Sequence, residues 1–232
     1  MNADTDGKKW VYAFTEGDGK NKQLLGGKGA NLCEMTQIGL NVPPGFVITT
    51  EACLHYLDSG SQSVPDDMMR QVREHMAQVE EATGKGFGDP ENPLLVSVRS
   101  GSAMSMPGMM DTILNLGLNA DTLQGEIRQT GDARFGYDAY RRFIQLFGKV
   151  AMNVPDEAFD AEFEAVKQAA HVSEDVGLSA DDLKELSERF LRVFEEQTGR
   201  PFPEDPFEQL EIAIKAVFSS WMGKRAVDYR RE

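Results

Sequence analysis

The stretch LLVSVRSGSAMSMPGMMDTILNLG, residues 94–117, sets the expectations for the fold and for the site. It opens with an apolar run from Leu94 to Val98, and a second apolar run begins at Thr112. Short runs rich in valine, leucine and isoleucine are typical of buried strands. The sequence therefore predicts two strands of a parallel or mixed sheet, with the small residues between them forming a loop.

Arg99 ends the first of these strands and begins a segment of small residues, which are Ser100, Gly101, Ser102, Ser105 and Gly108. Such residues let the backbone turn tightly and direct its N–H groups at an anion. A guanidinium beside a loop of this kind suits a phosphate group. The alternative is an ordinary hairpin, because Gly/Ser segments between strands are common there.

Four methionines lie in this otherwise polar loop: Met104, Met106, Met109 and Met110. Their soft, adaptable side chains suit a surface that receives a flat apolar group, such as a nucleotide base, or a moving partner. Packing in the core is the alternative for each of them taken singly.

A second glycine-rich segment, GGKGANL, occupies residues 26–32. Leu32, Met35 and Ile38 then recur at helical spacing as far as Gly39, so the pattern predicts a glycine-rich turn that leads into a helix. The N–H groups at such a helix start, together with the Lys28 ammonium, would attract an anion. The segment is not a Walker A loop, because the spacing GxxxxGK[ST] is absent. Alternatively, the glycines only shape a turn and Lys28 is solvated.

Composition limits the class of protein. The 232 residues suffice for one large domain or two small ones, and the net charge of −14 argues against nucleic acid or an anionic membrane surface as a partner. Cys33 and Cys53 are too few for a disulfide framework or a zinc site. No stretch is as long as a membrane span, and the N-terminus lacks the features of a signal peptide. We expect a cytoplasmic protein.

The first half of the chain alternates strand and helix patterns. Strands are predicted around residues 10–14 and 46–48, a helix capped by Thr49 or Thr50 with Leu54 and Leu57 on its inner face, and a further helix over residues 66–83. This alternation indicates an α/β layer.

From Ala120 onward the pattern is helical. Four apolar stripes at spacings of three and four predict core-facing helices; their members include Phe135, Tyr140, Phe143, Phe147, Phe159, Phe163, Leu183, Phe190, Leu210 and Trp221. Arg141 and Arg142 are adjacent on one helix, so one must point away from the stripe. Arg142 either is solvated or ion-paired, or faces a nucleotide cleft or partner domain. His55, His75 and His171 lack the spacing of metal ligands.

Several segments together resemble one known family. GGKGANLCEM, GLNVPPGFVIT, LLVSVRSG, SMPGMMDTILNLGLN and YDAYRRFIQLFG are similar to the N-terminal nucleotide-binding domain of the pyruvate, phosphate dikinase family. The related phosphoenolpyruvate synthases share the GGKGA and VRS elements but not the methionine-rich loop, so they are the second alternative.

The resemblance implies an ATP-grasp fold of the α/β (α+β) class, with a mixed β-sheet and an inserted helical subdomain. Residues 1–119 would form the first subdomain with the phosphate-binding elements, residues 120–200 the helical subdomain, and residues 201–232 the helices leading toward a second lobe. The family's ATP- and phosphate-binding positions correspond to Lys28, Arg99, Ser100, Gly101, Ser102, Ser105, Gly108, Met109, Asp111 and Thr112.

Within that set, Lys28 and Arg99 match the basic residues that contact the ATP phosphates. The loop over residues 101–112 matches the lid that folds over those phosphates. Ser102 and Met104 depart from family loops, which often carry a basic residue nearby, and this leaves the side-chain contacts of the lid open.

The family reaction converts ATP, phosphate and pyruvate to AMP, pyrophosphate and phosphoenolpyruvate through a histidine on a swivelling carrier domain. The acidic residues that hold Mg2+ in the family lie on a later strand pair, and this chain stops at Glu232 before them. Asp111 is either a substitute metal ligand or a residue that forms the turn or fixes the loop.

We therefore expect an ATP-binding part that is inactive alone, with ATP and the carrier domain as partners. A non-catalytic scaffold or partner-binding module is the other interpretation. An unpaired lobe would expose apolar surface, which predicts a tendency to form a homodimer.

Overall fold

The structure is a computed structural model that describes residues 7–60, 62–102 and 111–230. The methionine-rich part of the predicted loop, with Ser105 and Gly108, lies outside these residues.

The chain divides into two compact units. One comprises Met1–Gly84, Arg99–Asp111 and Ile214–Glu232, and the other comprises Lys85–Val98 and Thr112–Ala213.

The first unit combines a strand pair with helices. Its elements are β1 (Val11–Ala13), α1 (Lys22–Gln37), β2 (Phe46–Ile48), α2 (Thr50–Asp58), α3 (Met68–Thr83) and α9 (Lys224–Tyr229). Strands β1 and β2 are antiparallel, with Val11 opposite Ile48. Leu25, Ala30 and Cys33 of α1 pack with Val47 of β2 in a buried cluster. The predicted strands at residues 10–14 and 46–48 are therefore confirmed.

The second unit is mainly helical. It contains α4 (Ala120–Thr130), α5 (Ala133–Met152), α6 (Asp156–Ala169), a short 3-10 turn (Asp175–Gly177) and α7 (Ala180–Thr198), and helix α8 (Pro206–Ser220) begins in it. Its core includes a cluster of the phenylalanines Phe143, Phe147, Phe194 and Phe202, whose ring centroids lie 5.1–6.3 Å apart where they touch. The predicted helical region after Ala120 and its apolar stripes are confirmed in outline.

The strands of the central stretch are less buried than the sequence predicts. β3 (Val96–Arg99) pairs with β4 (Thr112–Leu116), and together they form a two-stranded sheet separate from β1 and β2. Ser97 and Arg99 are exposed, while Val96 and Val98 are only half-buried. Polar residues alternate with the valines, so one face of the strand is polar. The expectation of a fully buried strand is wrong here, although the α/β class itself is confirmed.

Helix caps follow the sequence rules closely. The Thr49 hydroxyl accepts a hydrogen bond from the Ala52 N–H, which selects Thr49 over Thr50 as the cap of α2. Ser179 and Asp182 form a reciprocal capping box at the start of α7. Such side chains satisfy N–H groups that have no partner inside the helix.

Two predicted core positions are wrong, because the buried face of each helix lies on a different side from the one that the sequence pattern predicts. Leu54 is 51% exposed, and the buried residues of α2 are Ala52 and Tyr56. Phe135 is also 51% exposed. In the first turn of α5 the inner position belongs to Gly136, where an added Cβ would lie 2.5 Å from a side-chain carbon of Ile127.

The two adjacent arginines of α5 point in different directions, as expected: Arg141 is buried and Arg142 is exposed. Arg141 is 4% exposed and pairs with Asp138 and Asp175, and its guanidinium lies 4.6 Å from the ring centre of Phe163. Arg142 is exposed, and its Nε lies 2.9 Å from the second carboxylate oxygen of Asp138. The ion-pair interpretation of Arg142 is confirmed.

Among the described residues, no helix is both long enough and apolar enough to cross a membrane.

The first unit contains a carboxylate held by several donors. Glu16 accepts hydrogen bonds from Lys9 Nζ and from the Ala13 N–H, and His75 Nε2 lies 3.2 Å from its Oε1. Partial burial alone would raise the Glu16 pKa. The bonds from Lys9, Ala13 and His75 outweigh burial and lower the pKa from 4.5 to about 2.

We predict that Glu16→Gln lowers the free energy of unfolding at pH 7 by about 1 kcal/mol, because the carboxylate is partly exposed and screened by solvent. A carboxyl whose pKa is depressed on folding stabilises the protein above its unfolded pKa and loses that contribution as the pH falls. The difference between wild type and variant should therefore shrink between pH 4.5 and about 2. Denaturant unfolding across this range checks the prediction.

Glu81→Gln, which alters an exposed glutamate of α3, provides the control and should show no such pH dependence. If Glu16→Gln and Glu81→Gln behave alike at pH 7, the bonds to Glu16 do not stabilise the fold.

Candidate functional site

Helix α1 is interrupted at Gly26, within the second glycine-rich segment. Gly26 has φ 69° and ψ 164°, which breaks the helix into a first turn and a longer segment that begins at Gly27. Glycine adopts a positive φ at little cost, whereas a residue with a Cβ does not. The predicted glycine turn that leads into a helix is thus confirmed, and Lys28 stands in the first turn of that second segment.

The interruption in α1 meets the segment that follows β3. A Cβ on Gly26 would lie 1.5 Å from the carbonyl oxygen of Gly101, so only hydrogen fits between the two backbones. The Gly27 N–H donates to the carbonyl oxygen of Ser102 at 2.8 Å. Two glycine-rich segments that are far apart in the chain are therefore joined, backbone to backbone, in the first unit.

The bond between Gly27 and Ser102 overturns one prediction about the N–H groups at the start of the second segment of α1. The sequence predicts unpaired N–H groups there, available to an anion. For Gly27 that prediction is wrong, because its N–H already bonds to Ser102. The bond instead holds the residues after Arg99 beside the residues around Lys28, which is a positioning role.

Lys28 and Arg99 act on each other electrostatically at this junction. Partial desolvation of the Lys28 ammonium, followed by the charge of Arg99, lowers the pKa of Lys28 below its usual value. A charge has such an influence only at short range, because the interaction weakens with distance and with screening. A Cβ on Gly101 would lie 3.4 Å from Lys28 Cβ, so the loop backbone also packs against the lysine.

Two cations in one exposed place attract an anion. Both Lys28 and Arg99 are solvent-exposed, so a ligand can reach them. Within the described residues, Lys28 forms no ion pair. A guanidinium and an ammonium held together suit a group with several anionic oxygens, because the first can bind two oxygens at once and the second acts as a mobile point charge.

The remaining predicted site residues are distributed on either side of the undescribed segment. Ser100 and Ser102 are half-buried, and Thr112 is the first residue of β4. Asp111 accepts a hydrogen bond from Arg225 Nη2 of α9 at 3.0 Å, which favours its role in fixing the loop. Ser105, Gly108 and Met109 lie outside the described residues.

Sequence reasoning missed the partners of these residues. No local signal in the chain pairs Gly26 with Gly101, apart from the Gly26-Gly27 doublet that marks an unusual backbone. Nothing near Arg225 indicates Asp111 as its partner. In the part of the chain that the structure describes, no group of three or more histidine, cysteine, aspartate or glutamate side chains is arranged to hold a metal ion.

We predict that Gly26→Ala destabilises the protein by about 2 to 4 kcal/mol, because the new methyl group meets the Gly101 backbone and the residue keeps a positive φ. The amide hydrogen of Gly27 should also exchange faster in this variant, because the bond to Ser102 is displaced. Thermal unfolding and hydrogen exchange by NMR provide the two measurements.

Gly84→Ala is the matched control. Gly84 has φ 67°, and a Cβ there would have nothing within 4 Å. This variant should cost only the backbone term of about 1 kcal/mol and leave the Gly27 exchange rate unchanged. Equal losses of stability in the two variants would contradict the close contact between Gly26 and Gly101.

Comparison with known proteins identifies the family. Residues 22–64 and 60–232 match the family model described as Pyruvate phosphate dikinase, AMP/ATP-binding domain. The chain is 60% identical over 222 residues to pyruvate, phosphate dikinase of Entamoeba histolytica, 52% identical over 224 residues to that of Clostridium symbiosum, and 50% identical over 226 residues to that of Rhizobium meliloti.

Each of these alignments covers 96% of the chain but only 25%, 26% and 25% of the respective relative. The chain thus spans about a quarter of the length of the curated relatives it matches. The resemblance found in the sequence is confirmed, and the chain belongs to the family of pyruvate phosphate dikinase AMP/ATP-binding domains, which are of the ATP-grasp type.

Proposed function

We propose that this chain is the ATP-binding part of a pyruvate, phosphate dikinase, and that Lys28 and Arg99 together bind the ATP phosphates. The observation that carries the proposal is the close backbone approach of the two glycine-rich segments, which brings Lys28 and Arg99 near enough for the charge of Arg99 to act on Lys28. The family assignment supports adenine nucleotide as the ligand.

The lowered pKa of Lys28 supports a phosphate rather than a structural role. Partial desolvation, and after it the charge of Arg99, make the protonated lysine less favourable in the free protein. A bound polyphosphate would offset both effects, because its oxygens replace water and neutralise the two cations. Phosphate binding therefore relieves the unfavourable charge repulsion and desolvation of Lys28 in the free protein.

The other predicted residues would complete this site. We propose that Ser100, Gly101 and Ser102 provide polar backbone and hydroxyl groups near the phosphates, and that Ser105, Gly108, Met109, Asp111 and Thr112 belong to the segment that covers them. The division into residues 1–119, 120–200 and 201–232 stays part of the same proposal.

In the complete enzyme, the proposed reaction converts ATP, phosphate and pyruvate to AMP, pyrophosphate and phosphoenolpyruvate. A phosphohistidine carrier domain outside the 232 residues would take up the phosphoryl group. Mg2+ would neutralise phosphate oxygens in that reaction. Mg2+ usually binds through one or two carboxylates together with the phosphate oxygens, and we propose that these carboxylates lie on another part of the enzyme.

We also propose how the chain associates and where it is located. Met35, Ile38 and Leu40 of the first unit are exposed apolar residues, which supports a homodimer or a contact with another domain. Cys33 and Cys53 are free thiols, which supports the reducing cytoplasm.

We predict that Lys28→Met and Arg99→Met each weaken ATP binding by about ten- to a hundredfold, because each removes one charge-assisted bond to phosphate. Isothermal titration calorimetry measures the dissociation constants. The affinity of the wild type should also fall as the pH rises, and at a lower pH than an ordinary lysine would cause, because the Lys28 pKa is lowered.

Lys20→Met and Arg192→Met change the net charge by the same amount at other exposed positions, and they should bind ATP like the wild type. Equal losses in all four variants would indicate only a general charge effect. Adding pyruvate and phosphate to the ATP-bound chain should give no AMP or phosphoenolpyruvate in 31P NMR. Turnover would show that the chain needs no further domain.

A further inference from the structure

Helix α9 holds Arg225 in a fixed position within the first unit. Ala226, the next residue along the helix, is fully buried. Arg230 follows the last turn of α9, and its guanidinium lies 4.1 Å from the ring centre of Trp221 and donates a hydrogen bond to the Trp221 carbonyl oxygen at 2.8 Å. Because α9 is packed at Ala226 and held to Trp221 at its end, the backbone that carries Arg225 has little freedom to move.

The end of helix α8, from which the chain continues into α9, is tied to helix α2. The ring centres of Tyr56 and Phe218 lie 5.6 Å apart. The hydroxyl oxygens of Tyr56 and Ser219 lie 3.1 Å apart, which is hydrogen-bond distance. Helix α9 is therefore connected to the other helices of the first unit independently of Arg225.

Arg225 binds Asp111 from this fixed position. Its Nη2 donates a hydrogen bond to Asp111 Oδ1 at 3.0 Å. Asp111 is the last residue of the Arg99–Asp111 segment, which belongs to the first unit. Near the beginning of that segment, the Gly27 N–H donates to the Ser102 carbonyl oxygen at 2.8 Å. The segment is therefore fixed at both ends, to α1 through Ser102 and to α9 through Asp111.

The exposure of this ion pair limits its contribution to folding. The Arg225 side chain is 65% exposed and the Asp111 side chain is 31% exposed, so water screens their attraction. Exposed ion pairs of this kind contribute little to the free energy of unfolding. The pair nevertheless restricts where Asp111 lies, and a segment that is already restricted loses less conformational freedom when a ligand orders it.

We propose that Arg225 is a positioning residue for the ATP site: through Asp111 it holds the Arg99–Asp111 segment in its binding position, and it does not itself contact the phosphates. This inference rests on the proposed function, in which Lys28 and Arg99 bind the ATP phosphates. Without the pair, the segment must be ordered when ATP binds, so binding becomes weaker. A structural role of the pair would lower stability instead, and a direct role of Arg225 would not need Asp111.

Asp111→Ala tests the proposal by the sign of its effect. The variant removes a negative charge, so electrostatic attraction alone would make the binding of anionic ATP tighter. The positioning role predicts the opposite, a dissociation constant raised about three- to fivefold, because the bond to Arg225 is lost. Isothermal titration calorimetry of the 232-residue chain, with EDTA present so that Asp111 cannot act through a metal ion, provides the measurement. Equal or tighter binding by Asp111→Ala would overturn the proposal.

Two further variants test whether Arg225 and Asp111 act as one unit. Arg225→Gln should raise the dissociation constant by a similar factor, and the double variant with Asp111→Ala should bind no more weakly than either single variant. Lys224→Gln removes the same charge from the adjacent exposed position of α9 and should bind like the wild type. Additive losses in the double variant, or a loss in Lys224→Gln equal to that in Arg225→Gln, would contradict the positioning role.

Thermal unfolding and NMR separate positioning from the alternatives. Without ATP, Asp111→Ala and Arg225→Gln should each melt within about 3 °C of the wild type, because the pair is exposed. When ATP is added to the wild type, the guanidinium nitrogen resonances of Arg225 should keep the chemical shifts of the free protein. Melting far below the wild type would give the pair a structural role, and a large shift on adding ATP would place Arg225 at the phosphates. Either result contradicts the proposal.

Lys28→Met distinguishes a failure of this inference from a failure of the proposed function. If Lys28→Met weakens ATP binding but Asp111→Ala and Arg225→Gln do not, the phosphate site stands and only the positioning role is wrong. If the wild type does not bind ATP, or if Lys28→Met binds it as tightly as the wild type does, the proposed phosphate site is wrong and so is the positioning role.

Discussion

The backbones of Gly26 and Gly101 meet so closely that no side chain can stand between them. An added Cβ on Gly26 would lie 1.5 Å from the Gly101 carbonyl oxygen, and the neighbouring Gly27 N–H bonds to Ser102. This contact fixes the segment that follows β3 against the part of α1 that begins at Gly27. Lys28 and Arg99 are each within two residues of this contact, and the charge of Arg99 acts on the Lys28 ammonium.

The electrostatics of the first unit follow from that contact. An acidic protein with a net charge of −14 still places two exposed cations, Lys28 and Arg99, close enough for the charge of Arg99 to add to partial desolvation in lowering the pKa of Lys28. The repulsion between them is unfavourable in the free protein, and a polyphosphate would relieve it.

The parts of the fold that depend on local rules could be predicted from the sequence. The strands at residues 10–14 and 46–48 and a threonine cap at residue 49 or 50 each depend on residues within a few positions of one another. The family resemblance, carried by whole motifs, was likewise visible and is confirmed.

The rest depends on contacts between distant residues, which one sequence does not encode in readable form. Leu54 and Phe135 fit an apolar pattern but face solvent, because neighbouring elements determine which face of a helix is buried. The Gly27 N–H is paired with Ser102, and Asp111 is paired with Arg225. The identity of the ATP-contacting residues remains a prediction, although Lys28 and Arg99 lie close enough to influence each other.

The most direct test of the account is the pKa of the Lys28 ammonium, measured by NMR titration of the side-chain carbon next to its nitrogen. We expect a Lys28 pKa below the ordinary 10.5 in the free wild type, a higher pKa in Arg99→Met, and a rise of the pKa when ATP is added to the wild type. A Lys28 that titrates as an ordinary lysine and responds neither to the loss of Arg99 nor to ATP would contradict a shared phosphate site.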